Sequence, residues 1–180
     1  MTKEIEKVLL TEKKIEETVS RMAAEISRDY EGKNLLLLGI LKGSVVFMGD
    51  LMKHLSIPTQ IDFMRVSSYG HGTVSSGRVN IILDLLRNDL GRCDILVVED
   101  IIDSGKTLSY LTQYLKNKGA RSVKTCTMLD KPSRREVEFS PDYVGVEIPD
   151  EFVVGYGLDY NEDYRALPYV GILKREVYEK

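Results

Sequence analysis

The chain is organised around Ile95-Leu96-Val97-Val98-Glu99-Asp100-Ile101-Ile102-Asp103-Ser104-Gly105-Lys106-Thr107-Leu108. The first four residues form an apolar run rich in β-branched side chains, which is typical of a buried strand. Small and hydroxyl-bearing residues follow, and Leu108, Leu111 and Leu115 then recur with helical spacing. Because backbone N–H groups at a helix N-terminus point toward an anion, this strand, loop and helix predict a phosphate site.

The acidic residues at the end of this strand exclude a nucleoside-triphosphate loop. Gly105-Lys106-Thr107 looks like the end of such a loop, but the motif requires a glycine where this chain has Asp100. Glu99 and Asp100 would repel a triphosphate unless a metal ion intervened. A ligand with hydroxyls and one phosphate fits better, because the carboxylates accept hydrogen bonds from hydroxyls while the loop binds the phosphate. The pattern therefore predicts a ribose 5-phosphate site, against the alternative of an ordinary turn with solvated acids.

The same segment carries a family resemblance. Val97 to Leu108 resembles the phosphoribosyl-diphosphate (PRPP) signature of type I phosphoribosyltransferases, and Val-Glu-Asp-Ile-Ile-Asp-Ser-Gly-Lys-Thr is similar to the form in hypoxanthine-guanine phosphoribosyltransferases, the 6-oxopurine branch. The similarity extends from Val8 to Leu173. It implies an α/β fold with a central parallel sheet flanked by helices, a small hood and a mobile lid loop. We expect one domain over 1–180, with the lid at 67–77 and a base-binding hood built from the termini.

Composition narrows the functional classes. The 180 residues are 43% hydrophobic and 29% charged, with a net charge of −3. No face is obviously basic, so we expect neither a nucleic-acid partner nor a membrane one. The chain has no apolar run of transmembrane length, and Met1-Thr2-Lys3-Glu4 does not resemble a signal peptide. Cys93 and Cys126 are expected to be reduced core residues, which favours a cytoplasmic protein.

Strand and helix patterns predict where ligands bind. Strand-helix units near residues 35, 95 and 123 indicate a parallel sheet with right-handed crossovers. Ligands of such sheets bind at the carboxyl ends of the strands. Leu41-Lys42-Gly43, Glu99–Thr107 and Asp130-Lys131 all fall at such ends, and this convergence does not depend on the resemblance.

The resemblance implies a purine salvage reaction. Ribose 5-phosphate would pass from PRPP to hypoxanthine or guanine, giving IMP or GMP and pyrophosphate, through an oxocarbenium-like transition state with Mg²⁺. The residues implied to bind PRPP and its ribose phosphate are Glu99, Asp100, Asp103, Ser104, Gly105, Lys106 and Thr107.

The resemblance also implies which residues bind pyrophosphate and Mg²⁺. Lys42 and Gly43 match the pyrophosphate loop of the family, in which a non-proline cis peptide is often found, and Arg165 matches an arginine that contacts pyrophosphate. Glu99, Asp100 and Asp159 are the implied Mg²⁺ residues. Taken alone, Lys42 is more typical of a solvated turn and Arg165 of a surface charge.

Base recognition is implied for four residues. Lys131 matches a lysine that donates to the purine 6-oxo group, Phe152 would stack on the ring, and Val153 would meet the base edge through its backbone, beside Asp159. An adenine 6-amino group would leave the Lys131 donor unpaired, which discriminates strongly.

Proton transfer and water exclusion complete the implied site. Asp103 is the candidate catalytic residue, acting either as a base toward the purine N7 or by electrostatics. Ser68 and Tyr69 belong to the expected lid, whose closure would exclude water.

Two other functions are alternatives to this one. A transferase for adenine, uracil or orotate is disfavoured by Lys131 and the Phe152–Asp159 string. A PRPP-sensing regulator that binds nucleic acid would need a basic face or an added domain. The use of xanthine, the preference between hypoxanthine and guanine, and the choice between homodimer and homotetramer stay open. The loosely matching Leu83–Gly91 stretch is either a divergent connection or a subunit contact.

Overall fold

The computed structural model describes residues 3–68 and 79–179. Strands and helices alternate along most of this part of the chain. The strands are β1 (Ile5–Leu10), β2 (Leu35–Leu41), β3 (Thr59–Ser68), β4 (Val79–Leu83), β5 (Asp94–Ile102), β6 (Ser122–Asp130), β7 (Tyr143–Glu147), β8 (Val153–Val154) and β9 (Val170–Leu173). The α-helices are α1 (Glu12–Asp29), α2 (Val45–His54), α3 (Lys106–Asn117) and α4 (Arg175–Tyr178).

A six-stranded sheet with the order β4-β3-β2-β5-β6-β7 forms the centre of the fold. Strands β3, β2, β5, β6 and β7 are parallel to their neighbours, and β4 pairs antiparallel with β3 at one edge. Strand β5 is central because its apolar residues are buried on both faces, so it needs neighbours on either side. The central parallel sheet is therefore confirmed, with an antiparallel edge strand added to it.

Helices cover both faces of this sheet. Alternate leucines of β2 show why, since Leu35 and Leu37 join the core beneath α1 and α2, whereas Leu36 and Leu38 pack with α3. Helix α1 begins after Thr11, whose hydroxyl accepts a hydrogen bond from Lys14 N at 3.2 Å. Across residues 3–68 and 79–179, no helix combines the length and the apolar character needed to cross a bilayer.

The crossover after β6 differs from the expectation. Two strand-helix units are present, β2–α2–β3 and β5–α3–β6, but the third predicted unit is wrong. A single 3-10 turn, Pro132–Arg134, follows β6, and the chain reaches β7 without an α-helix. The physical reason is that Glu136 N and Val137 N donate to the carbonyl of Ser104, at 3.0 and 3.3 Å, instead of continuing a helix.

A second, antiparallel sheet has the order β1-β9-β8. It joins the two ends of the described chain, since Leu10 pairs with Val170 and Val153 pairs with Ile172. Val153 and Val170 also pack in the core beneath α1, so this small sheet shares its packing with the main one.

We predict that Asp94→Asn lowers the free energy of unfolding. Asp94 is 6% exposed at the start of β5, where it pairs with Arg121 and accepts a hydrogen bond from Ser122 Oγ at 2.7 Å. Burial alone would raise the pKa of Asp94, but these hydrogen bonds outweigh it and hold the pKa below its usual value. We expect a loss of about 1 kcal/mol at pH 7, a low value for a charged hydrogen bond because Arg121 is largely exposed.

The effect should depend on pH in one direction. A depressed carboxyl pKa stabilises the fold above the unfolded-state pKa, and this stabilisation is lost as the pH falls through the folded-state value. Denaturant unfolding should therefore show the difference at pH 7 and a smaller one below about pH 4. The exposed Glu138→Gln is the control, and an equal loss in both variants would contradict the prediction.

Candidate active site

The loop between β5 and α3 forms a cavity of about 350 Å³. Gly105 precedes α3 with a φ of +80°, a backbone conformation that favours glycine. Lys106 N donates to Ser104 Oγ at 3.3 Å, which tightens the turn. Glu99, Asp103, Ser104, Gly105 and Thr107 all line this cavity, so the structure brings together five of the seven residues expected to bind ribose phosphate.

Glu99 and Asp100 are partly buried carboxylates at the carboxyl end of β5. Burial raises the pKa of Glu99, and the neighbouring charge of Asp100 raises it further. Burial also raises the pKa of Asp100, against the opposing effect of its hydrogen bond from Ile101 N at 2.7 Å. Among the ion pairs formed within the described ranges, none includes either carboxylate. The pair is therefore chemically suited to a hard cation.

Asp159 lies in a different environment. Its Oδ1 is 2.8 Å from Arg165 Nη2, and its Oδ2 accepts a hydrogen bond from Glu162 N at 3.0 Å. In the part of the chain that the structure describes, no three His, Cys, Asp or Glu side chains are grouped so as to hold a metal ion. Asp159 is consequently not assembled with Glu99 and Asp100 into a three-residue ligand set.

Gly43 brings the β2 end against the acidic pair. The Leu41–Lys42 peptide bond is cis. A Cβ atom on Gly43 would overlap the Asp100 carboxylate, and one on Gly157 would overlap the Gly43 carbonyl oxygen. Three chain segments therefore meet at Gly43, at a spacing that leaves no room for a Cβ atom on Gly43 or Gly157 unless a neighbouring group moves.

The two expected pyrophosphate cations are linked through one acid that sequence reasoning missed. Lys42 Nζ lies 2.8 Å from Glu162 Oε2, and Arg165 Nη2 lies 3.6 Å from the same oxygen. The Lys42 hydrogen bond holds the pKa of Glu162 below its usual value, so this carboxylate is charged at neutral pH. Nothing in the local pattern marks Glu162, because its role depends on a partner 120 residues away.

The expected base-recognition lysine lies beside the expected catalytic acid. Lys131 is 8% exposed, and its Nζ is 3.8 Å from Asp103 Oδ1. Lys131 N also donates to Ile102 O at 3.0 Å, which fixes the end of β6 beside the end of β5. A nearly buried lysine side chain and a half-exposed carboxylate thus lie next to each other where β5 and β6 end.

Phe152 is the exposed member of an aromatic group. Its ring is 37% exposed, stacks on Tyr178 with centroids 4.6 Å apart, and meets Tyr160 edge-on at 5.6 Å. Val153 is buried in β8. Tyr178 was not singled out in the sequence, since a lone aromatic in a short terminal helix carries no pattern. Of the expected lid, Ser68 ends β3, and Tyr69 lies outside the described residues.

Comparison with known proteins gives one consistent result. The phosphoribosyl transferase domain family matches residues 7–161. A hypoxanthine-guanine phosphoribosyltransferase of Lactococcus lactis is 56% identical over 180 residues, covering 100% of this chain and 97% of that protein. A solved hypoxanthine phosphoribosyltransferase of Staphylococcus aureus has 48% identity and a TM-score of 0.94, covering 98% of this chain and 96% of that one.

A second group of relatives is longer. A bifunctional protein, TilS/HprT, of Listeria monocytogenes is 54% identical over 180 residues, covering 100% of this chain. The chain spans 28% of the length of that relative.

We predict that Gly43→Ala disables the site without unfolding the protein. The added methyl group displaces the Asp100 carboxylate, which is the end of a side chain and can rotate away, so the fold tolerates the change. Binding of PRPP with Mg²⁺, measured by titration calorimetry, should weaken about tenfold or more because a site carboxylate is displaced.

Gly49→Ala is the matched control. Gly49 lies in α2, and a Cβ atom there meets nothing within 4 Å. That variant should bind normally and be more stable by about 0.5–1 kcal/mol, since alanine favours a helix. Normal binding by Gly43→Ala would show that the Asp100 position is not needed.

Proposed function

Because this chain belongs to the phosphoribosyltransferase family, in its hypoxanthine-guanine branch, we propose that it transfers ribose 5-phosphate from PRPP to hypoxanthine or guanine. The products are IMP or GMP and pyrophosphate, which places the reaction in purine salvage. The observation that carries the proposal is the Lys131–Asp103 pair: the two side chains are 3.8 Å apart, and Asp103 lines the cavity formed at residues 103–107, the phosphate loop.

The loop is suited to the sugar phosphate. First-turn N–H groups of a helix have no intrahelical partners and bind phosphate oxygens. In our proposal, residues 103–107 bind the 5-phosphate through these amides and the hydroxyls of Ser104 and Thr107. Glu99 and Asp100 accept hydrogen bonds from the ribose hydroxyls.

The leaving pyrophosphate binds to cationic residues that lie near Glu99 and Asp100. Lys42, the Gly43 backbone and Arg165 bind its oxygens, and Arg165 is suited to this because a guanidinium presents paired donors. Support comes from the link between Lys42 and Arg165 through Glu162, which holds both cations near one point.

Mg²⁺ fits the carboxylates that lack a cationic partner. Glu99 and Asp100 would hold it, with further oxygens from the substrate and water, as is usual for this ion. When bound, Mg²⁺ stabilises the negative charge of the departing pyrophosphate. The role proposed for Asp159 is to orient Arg165, through their 2.8 Å contact, at the edge of the purine site.

The purine base is recognised by hydrogen-bond donors and by an aromatic ring. Lys131 donates to the 6-oxo group, the exposed face of Phe152 stacks on the ring, and the Val153 backbone meets the base edge. Asp103 faces the N7 proton, either accepting it or stabilising the positive charge that develops as N9 bonds to the ribose. Ser68 and Tyr69 close over the reacting atoms and exclude water.

Assembly and location complete the proposal. We propose a homodimer or homotetramer, because Ile61 in β3, Ile82 in β4 and Leu86 just after β4 are exposed apolar residues at one edge of the sheet. A cytoplasmic location is supported by the cysteines, both of which are buried and unpaired in the described chain.

The test is a steady-state assay with PRPP and Mg²⁺ on hypoxanthine, guanine, xanthine and adenine. We expect rapid pyrophosphate release with hypoxanthine and guanine, and only a trace with adenine that is measurable at high enzyme concentration. Lys131→Met keeps the length of the side chain but removes its donor, so kcat/KM for hypoxanthine should fall by about 100-fold and the preference over adenine should shrink.

Each failure of this assay has a distinct meaning. If the wild-type protein binds PRPP but turns over no base, the chain is a regulator rather than a transferase. If Lys131→Met keeps the wild-type base preference, Lys131 does not recognise the 6-oxo group. The exposed Lys116→Met on α3 controls for the loss of a charge.

We further predict that Glu162→Gln makes pyrophosphate a stronger product inhibitor. The Glu162 carboxylate now pairs with Lys42 and lies near Arg165, and removing its charge frees Lys42 for pyrophosphate while Arg165 stays paired with Asp159. The inhibition constant should fall by about threefold, a modest change because the pair is exposed. Asp163→Asn removes the same charge one residue away. An equal effect of the two variants would mean that only net charge matters.

A further inference from the structure

The segment after Lys131 holds the phosphate loop through one arginine. Arg135 Nη1 donates to the Asp103 carbonyl oxygen at 2.5 Å, and Arg135 Nη2 donates to Asp130 Oδ1 at 2.5 Å. The Arg135 and Asp130 side chains are only 17% and 13% exposed. A partly buried guanidinium with two different acceptors fixes both of them, because its donors lie in one rigid plane.

Neighbouring contacts hold the same loop from the same side. Glu136 N and Val137 N both donate to the Ser104 carbonyl, and the Lys106 ammonium pairs with the Glu136 carboxylate. Gly105 lies against Arg135 as well, since a Cβ atom on Gly105 would be 3.0 Å from Arg135 Cδ. The Arg135 contact is distinct among these because it alone also reaches the end of β6.

The two acceptors of Arg135 adjoin the two residues proposed to act on the base. Asp103 itself supplies one acceptor through its backbone, and Asp130 immediately precedes Lys131. Two links between these segments bear on the 3.8 Å distance between Lys131 Nζ and Asp103 Oδ1. One is the backbone hydrogen bond from Lys131 N to Ile102 O, and the other is the Arg135 bridge between the Asp103 carbonyl and the Asp130 side chain. A donor and a carboxylate that read one purine must keep that spacing, since small misplacements at a reacting centre are costly.

We propose that Arg135 is a positioning residue that sets the Asp103–Lys131 spacing and so determines both turnover and the preference for 6-oxopurines over 6-aminopurines. This inference rests on the proposed function. Arg135 acts through Asp103 and Asp130 rather than by touching the substrate, so its loss changes the relative rates with different bases.

The experiment compares four variants with the wild-type protein in the same assay. Arg135→Met removes both hydrogen bonds. Arg135→Lys keeps the positive charge but loses the paired donors of the guanidinium. Asp130→Asn removes the negative charge of the acceptor and keeps the size of the side chain. Arg134→Met is the control, because Arg134 is the adjacent arginine, is 58% exposed and contacts only Asp150, at 3.6 Å, among the described acids. The readouts are kcat and KM for hypoxanthine and adenine, KM for PRPP, and thermal stability.

We expect Arg135→Met to lower kcat for hypoxanthine by about 100-fold. The ratio of kcat/KM for hypoxanthine to that for adenine should fall by about tenfold. Arg135→Lys should lower kcat and the base ratio less than Arg135→Met does. Asp130→Asn should also lower both quantities in part, and Arg134→Met should match the wild-type protein. Asp130→Asn provides the test if Arg135→Met does not fold.

Three results would overturn the inference. The first is a lower melting temperature of Arg135→Met and Asp130→Asn with kcat and the base ratio unchanged, which would make the contact merely structural. The second is an equal effect of Arg134→Met. The third is a wild-type protein that turns over no base, which would overturn the proposed function first and this inference with it.

Discussion

Parallel pairing of β5 with β2 on one side and β6 on the other is the constraint on which the site depends. Most residues of each of these strands are buried, so their backbone polar groups are satisfied by neighbouring strands in register. Parallel strands place all their carboxyl ends at one edge. Lys42-Gly43, Glu99-Asp100 and Asp130-Lys131 therefore meet there, although they are far apart in the sequence.

At the carboxyl ends of these strands, some charged side chains have partners of opposite charge and others do not. The cations expected to bind the pyrophosphate face internal acids, as in the Lys42–Glu162 and Arg165–Asp159 pairs. Glu99 and Asp100 have no such partner within the described residues, and burial raises the pKa of both. An anionic ligand that arrives with its own cation would satisfy both groups, because the anion reaches Lys42 and Arg165 while the cation reaches the acids. In the function proposed above, this complementarity would allow one site to bind a diphosphate beside two carboxylates.

Rigidity at the phosphate loop comes from outside the loop itself. Gly105 allows the turn, but the turn is held by the segment from Arg135 to Val137, whose groups bond Asp103 and Ser104. That segment follows Lys131 directly. The loop proposed to bind the sugar phosphate and the lysine proposed to bind the base are thus joined by hydrogen bonds, and such support keeps a reactive geometry fixed before ligands bind.

By itself the sequence determined the parallel sheet, the phosphate loop after β5, and the three segments at its edge, because apolar periodicity and small-residue loops are local signals. The tertiary structure alone decided that Gly43 lies against Asp100, that Glu162 joins Lys42 to Arg165, and that residues 135–137 bond the loop instead of forming a helix. These contacts join residues that are distant in the chain. In the sequence alone, each of the segments involved looks like an ordinary turn. Only the packing of the folded chain fixes the distances between these segments and so determines which residues are in contact.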